Sequence, residues 1–312
     1  MPLALFTTSD GDIILRAGTD PGPKYDFRVH KFILSLASPV FKDMLTLPKP
    51  PNKNGTEHPD IPVVDVTDTP DVLDMVLRFI YPGVEPPKFT SVPPLSAVLS
   101  AADKYCITSM VPMLRDALKA LLPGDPFGVY IVACRFGFSE EAKAAAMVST
   151  PSCLLNRSYE EGVRQMASTD LFRFVRFVIR REELGRSRIE NYLVLAFHGL
   201  DGNCLGDSSD DHWDTAREFY ADLTKTIQDA FARNPNLELK DLLVVLDKIP
   251  DPPLGCKPAQ HSGDYYYEHD EDDEFSCPLQ PMFIRRVLAD LAKTLNIISR
   301  TTLDDAFGID SE

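Results

Sequence analysis

The sequence predicts an α+β N-terminal domain, a small sheet capping a helix cluster, followed by a mainly α-helical C-terminal region. Three observations carry this. Residues 25–30 alternate apolar and polar side chains with the period of a strand, the apolar spacing turns helical from Ile33 onward, and the apolar patterns read after residue 125 are all helical.

The elements follow in order. Asp12 to Leu15 is a short apolar run behind Ser9-Asp10-Gly11, and Tyr25, Phe27 and Val29 alternate with Asp26, Arg28 and His30, so both segments read as strands. Thr19-Asp20-Pro21-Gly22-Pro23 joins them as a hairpin loop. Ile33, Leu36, Ala37, Val40, Phe41, Met44 and Leu45 then mark one helical face, divided at Ser38-Pro39 into two short helices. The serine supplies an N-cap, and the proline a first-turn residue whose missing N–H is harmless. Leu47 to Asp60, with four prolines, is a polar loop long enough for mobility to be expected. Ile61 to Val66 resumes as a strand.

Thr69-Pro70-Asp71 has the cap, proline and first-turn acid of a helix start, Val72, Met75, Val76 and Phe79 give that helix its apolar face, and Tyr81-Pro82-Gly83 ends it. Pro86, Pro87, Pro93 and Pro94 bracket an extended connection before two amphipathic segments, Leu95 to Tyr105 and Ser109 to Leu122. Pro123-Gly124 closes the first domain, 10–122. A helical domain, 126–312, follows, with a potential split near 200–210 and an acidic loop at about 250–280. Its helices start at Asp125-Pro126 and at Ser139-Glu140-Glu141, continue through Tyr159 to Ala167, Leu171 to Glu183 and a long helix from Trp213, and end with segments marked by Leu239 to Leu246 and Ile284 to Leu295.

Composition narrows the function. The formal charge of −15 makes the chain repel phosphate backbones and anionic membranes, so neither nucleic acid nor membrane is an expected partner. An arginine run, Arg164, Arg173, Arg176, Arg180, Arg181, Arg186 and Arg188, reads as the wet side of a helix, because Leu171, Phe174, Val175 and Val178 supply an apolar stripe between them. Six dispersed cysteines are the usage of a reducing compartment, and Met1 to Phe6 is too short for a signal-peptide core. The expected location is intracellular, cytoplasmic or nuclear. No P-loop, dinucleotide glycine fingerprint, G-x-S-x-G or H-E-x-x-H occurs.

The stretch FRVHKFILSLASPVFKDML, Phe27 to Leu45, resembles the centre of the BTB/POZ domain, where a strand ending in His and a basic residue leads into two helices across a small-residue turn. Asp12-Ile13-Ile14-Leu15, the strand Ile61 to Val66, the helix end Leu77-Arg78-Phe79-Ile80-Tyr81 and Ala101-Ala102-Asp103-Lys104-Tyr105 occur in the family's order. The Tyr81-Pro82-Gly83 ending followed by proline-rich sequence is similar to BTB proteins of mushroom-type (basidiomycete) fungi. The resemblance implies a non-catalytic adaptor that docks other proteins or self-associates, with His30 a strand-end histidine whose ring satisfies nearby backbone groups. Only about ten residues precede the first strand, so a strand-swapped homodimer is not expected. Pro82-Gly83-Val84-Glu85 lacks the apolar-x-acid spacing associated with cullin docking, which weakens the alternative of a ubiquitin-ligase receptor. An enzyme with an unrecognised site in the helical region is the alternative from another class.

The candidate partner-binding residues are Phe32 and Leu34, which lie off the main apolar stripe, with Val84 and Glu85. No catalytic residue and no cofactor is expected. Cys204, Cys256 and Cys277 with His212 are the candidate zinc ligands, although no C-x-x-C pair nucleates such a site. The acidic run His269 to Glu274 beside Tyr265-Tyr266-Tyr267 reads as a solvated loop, with docking of a basic partner as its sharper reading.

Overall fold

The computed structural model describes residues 6, 10–18, 22–46, 61–198, 210–246, 248 and 281–307, and the loops expected at 47–60 and about 250–280 lie outside them. The chain divides into two compact units, 1–136 and 137–312.

In the first unit β1, Ile13–Ala17, is the middle strand of a three-stranded sheet between β2, Tyr25–Val29, and β3, Val63–Val66. β1 and β2 are antiparallel, with Ile13 opposite Val29 and Leu15 opposite Phe27, whereas β3 runs parallel with Val63 beside Ile14. The central position explains why β1 is a continuous apolar run: Ile13, Ile14 and Leu15 are all buried. β2 keeps a strict alternation because only its Phe27 and Val29 face the core.

α1, Lys31–Ala37, and α2, Pro39–Thr46, are separated at Ser38, whose backbone is extended at φ −142° and ψ 121°. α3, Pro70–Ile80, is capped by Thr69, whose hydroxyl accepts from the Val72 N–H at 3.4 Å. α4, Val92–Lys104, begins earlier than the sequence suggests. Pro93 and Pro94 lie in its first turn rather than in an extended connection, because the N–H groups that they lack have no acceptor inside the helix there. α4 ends in a Schellman turn: the Ile107 N–H donates to the Ala102 carbonyl at 2.8 Å and the Cys106 N–H to Asp103 at 3.0 Å, with Cys106 left-handed at φ 54°. α5, Val111–Ala120, and α6, Pro126–Arg135, complete the unit. α6 packs on α4.

The second unit is helical: α7, Ser139–Val148; α8, Glu160–Gln165; α9, Ser168–His198; α10, Asp210–Arg233; α11, Leu239–Leu246; and α12, Pro281–Ala306. Ser139 is the first residue of α7 and makes no capping bond. α9 packs on α10 and α12 around Ile189, Leu193, Leu223, Ile227, Phe231 and Leu291. It runs well beyond the Glu183 end read from sequence, because Gly185 is a contact point rather than a break. A Cβ on Gly185 would come within 2.0 Å of the Phe231 ring, so the missing side chain is what seats Phe231 against the α9 backbone.

The arginine run needs one correction. Arg181 is not on the wet side of the helix; it is 1% exposed. Its guanidinium donates to the Met147 carbonyl at 2.6 Å, to Ala146 at 3.3 Å and to Ser149. These carbonyls lie at the C-terminal end of α7, where Ala146 also accepts from the Ser149 N–H and Met147 from the Asn236 amide, both at 3.2 Å, so a planar five-donor group helps to close a helix end that has no glycine. Arg181 also lies 4.8 Å over the Phe177 ring. Burial pushes the guanidinium down to about 10, which leaves it protonated at neutral pH.

Candidate protein-interaction surface

The end of β2 sets the direction of α1. The His30 N–H donates to the Tyr81 hydroxyl at 2.7 Å, and the Lys31 N–H to an Asp12 carboxylate oxygen at 2.8 Å. Asp12 thus supplies the acceptor that His30, at the N-cap position, does not. The His30 ring meets side chains rather than the backbone groups expected: Nδ1 is 3.1 Å from the Tyr81 hydroxyl, and Nε2 is 3.4 Å from the Asp10 carboxylate. Tyr81 accepts from the His30 backbone, so its own proton is available to donate elsewhere. Burial holds the Tyr81 phenol above its ordinary range against that backbone bond, and Asp12 and Asp10 add to the shift. The cluster positions a strand–helix junction, and among the described residues no nucleophile belongs to it.

Ser38 fixes the second helix. Its hydroxyl accepts from the Phe41 N–H at 3.0 Å, the cap expected from sequence, and donates to the Tyr105 carbonyl at 2.6 Å. Phe41 stacks on the Tyr105 ring at 4.3 Å. The Tyr105 hydroxyl donates to Asp68, which also receives Lys104 Nζ at 2.7 Å. Burial and the Asp68 bond raise the Tyr105 phenol well above its ordinary value. The α1–α2 pair is thereby tied to the end of α4.

On that frame α1 turns Leu34, 0% exposed, into the core and leaves Phe32 at 77% and Leu36 at 79% in solvent. Of the two α1 residues proposed from sequence, Phe32 lies on the outer face and Leu34 does not. The outer partner of Phe32 is Leu36, one turn further on, which the sequence reading assigned to the core stripe. That reading ran one stripe through both helices, and the extended residue at Ser38 breaks its phase. Phe32 and Leu36 are the most exposed large apolar side chains among the described residues of the first unit. Val84 and Glu85 lie in the loop between α3 and α4, where Glu85 pairs with Lys88 at 3.4 Å, both side chains largely exposed.

The proposed zinc ligands Cys204, Cys256, Cys277 and the His212 side chain lie outside the described residues. Among the described residues no group of three His, Cys, Asp or Glu side chains is placed to hold a metal. Cys153 is half-buried, and burial pushes its thiol up to about 11. A groove of about 460 Å³ between α9 and α12 is lined by Leu184, Arg188, Asn191, Ile298, Thr301 and Asp305 among others, with no histidine or cysteine. No helix among the described residues is long and apolar enough to cross a membrane.

No curated protein matches the chain. Residues 7–122 match the family model of the BTB/POZ domain, which spans the sheet, the α1–α2 pair and α3 to α5. The N-terminal part of this chain is therefore a BTB/POZ domain, a protein–protein interaction module, joined to a helical C-terminal region.

Proposed function

We propose that the chain is a non-catalytic adaptor whose BTB/POZ domain contacts protein partners, a second copy of itself included, through the outer face of α1. The observation that carries this is the pair Phe32 and Leu36, one turn apart and both more than three-quarters exposed on a helix that turns Leu34 into the core. Burying one such side chain contributes about 2 kcal/mol. A two-fold pairing would bury four, or about 8 kcal/mol gross, against an association cost of about 4–15 kcal/mol. At most about 4 kcal/mol remains, a Kd no tighter than about 1 mM, so self-association through this face alone is weak and becomes appreciable only from about 100 µM upward. The face is rigid, since α1 is held by Asp12, Tyr81 and the Ser38 bonds, so little ordering opposes docking.

Sedimentation velocity on the full chain tests the reading. The sedimentation coefficient is expected to rise with concentration from about 100 µM upward, and Phe32→Asp to abolish that rise without changing the thermal midpoint. A concentration dependence untouched by Phe32→Asp would remove α1 from the interface. Saturable binding of purified cullin, surviving moderate salt, would instead favour the ubiquitin-ligase receptor.

A further inference from the structure

α9 presents two unlike faces in its first half. Phe174, Phe177, Val178 and Arg181 point inward. Opposite them Phe172 is 66% and Ile179 45% exposed. Seven residues separate these two, so at about 100° per residue they lie on one line of the helix, with Arg176 between them one turn from each.

The charge of this segment is inverted relative to the chain. Residues 168–181 hold four arginines, of which Arg173, Arg176 and Arg180 are exposed and Arg181 is buried, against the single carboxylate of Asp170 before Glu182 and Glu183, in a protein of formal charge −15. Arg173 is 3.4 Å from Asp170 and Arg180 3.7 Å from Glu183, but these pairs are solvent-exposed and contribute little. Arg176 makes no ion pair or hydrogen bond among the described residues.

We propose that this outward face, Phe172, Arg173, Arg176, Ile179 and Arg180, docks an acidic segment bearing aromatic side chains from a partner protein. Arginine interleaved with exposed aromatic and aliphatic groups is the composition of an interface centre, and its positive charge calls for acid on the partner. A nucleic acid fits poorly, because the rest of the chain repels phosphates and Ile179 offers a base no stacking plane. A lipid surface fits poorly too, since two apolar side chains are few for interfacial insertion.

The chain's own segment 264–275, with three tyrosines and an acidic run, has the chemistry that this face calls for, which makes it a model for the partner's segment.

A synthetic peptide of Asp264 to Phe275, with three tyrosines, a phenylalanine and its acidic run, is a suitable probe in trans. Titrated into the full chain and followed by fluorescence anisotropy, it is expected to bind saturably with a Kd of about 10–100 µM. Arg176→Glu with Arg180→Glu should weaken binding at least about tenfold. Phe172→Ser should weaken it about fivefold at unchanged helical content. No saturation up to about 1 mM, or equal binding by the variants, would overturn the proposal. So would tighter, arginine-dependent binding of a 20-nucleotide single strand or of phosphatidylserine vesicles, which would reassign the face to polyanions.

Discussion

Arg181 illustrates how one residue decides a local structure. It lies in phase with Phe174 and Val178, seven and three residues before it, so its place on the packed face of α9 was legible from periodicity. The density of arginines around it pointed the other way. Its carbonyl partners come from α7, more than thirty residues earlier, and no local pattern announces such a bond. Arg181→Met removes these bonds, leaving Ala146 with the Ser149 N–H and Met147 with the Asn236 amide, and is expected to destabilise the second unit by about 2 kcal/mol. Arg181→Lys should restore little of this, because an ammonium lacks the planar fork. Urea denaturation followed by the fluorescence of Trp213, the chain's one tryptophan, checks both.

Tyr105 gives a pH dependence of definite sign. Its phenol is raised in the folded chain, so above about pH 10 the unfolded state loses a proton that the folded state keeps. Stability of the BTB/POZ domain should therefore be intact below that pH and fall as pH rises beyond it. Tyr105→Phe is expected to cost about 1 kcal/mol at pH 7 through the lost Asp68 bond, and to flatten the alkaline decline, with Tyr81 leaving a residue of it. Denaturation midpoints from pH 7 to 11 would show whether the two curves converge.

At the scale of elements, short-range chemistry was legible and phase was not. The Ser38 break, the Thr69 cap and the Asp125 cap follow from residue type and were read correctly, each with its bond in place. The exchange of Leu34 for Leu36 arose because α1 has only seven residues, too few for its own periodicity to override the stripe continued from α2. Gly185 was invisible as a contact, since its reason lies on α10. Gly185→Ala should add helix propensity, worth about 1 kcal/mol at most. The Cβ would displace a Phe231 ring that is 1% exposed, an overpacking cost of about 1–3 kcal/mol. The net effect is expected to be destabilising, and a thermal midpoint raised by the substitution would show that the ring has room to move.

For the whole molecule, an α+β domain with a helical region behind it was predictable, because strand and helix periods differ and the BTB/POZ elements keep their order along the chain. The exposed face of α1 was only half legible: Phe32 followed from its place off the stripe, while Leu36 required the packed structure. The central claim is that α1 carries the association of this protein. Hydrogen–deuterium exchange of the full chain at increasing concentration tests it most directly, since protection localises the interface by residue. The account predicts that, within the BTB/POZ domain, amides of Lys31 to Ala37 gain protection between about 1 µM and about 1 mM, while those around Val84 and Glu85 do not. Concentration-dependent protection confined to the Val84–Glu85 loop, with α1 unchanged, would contradict it.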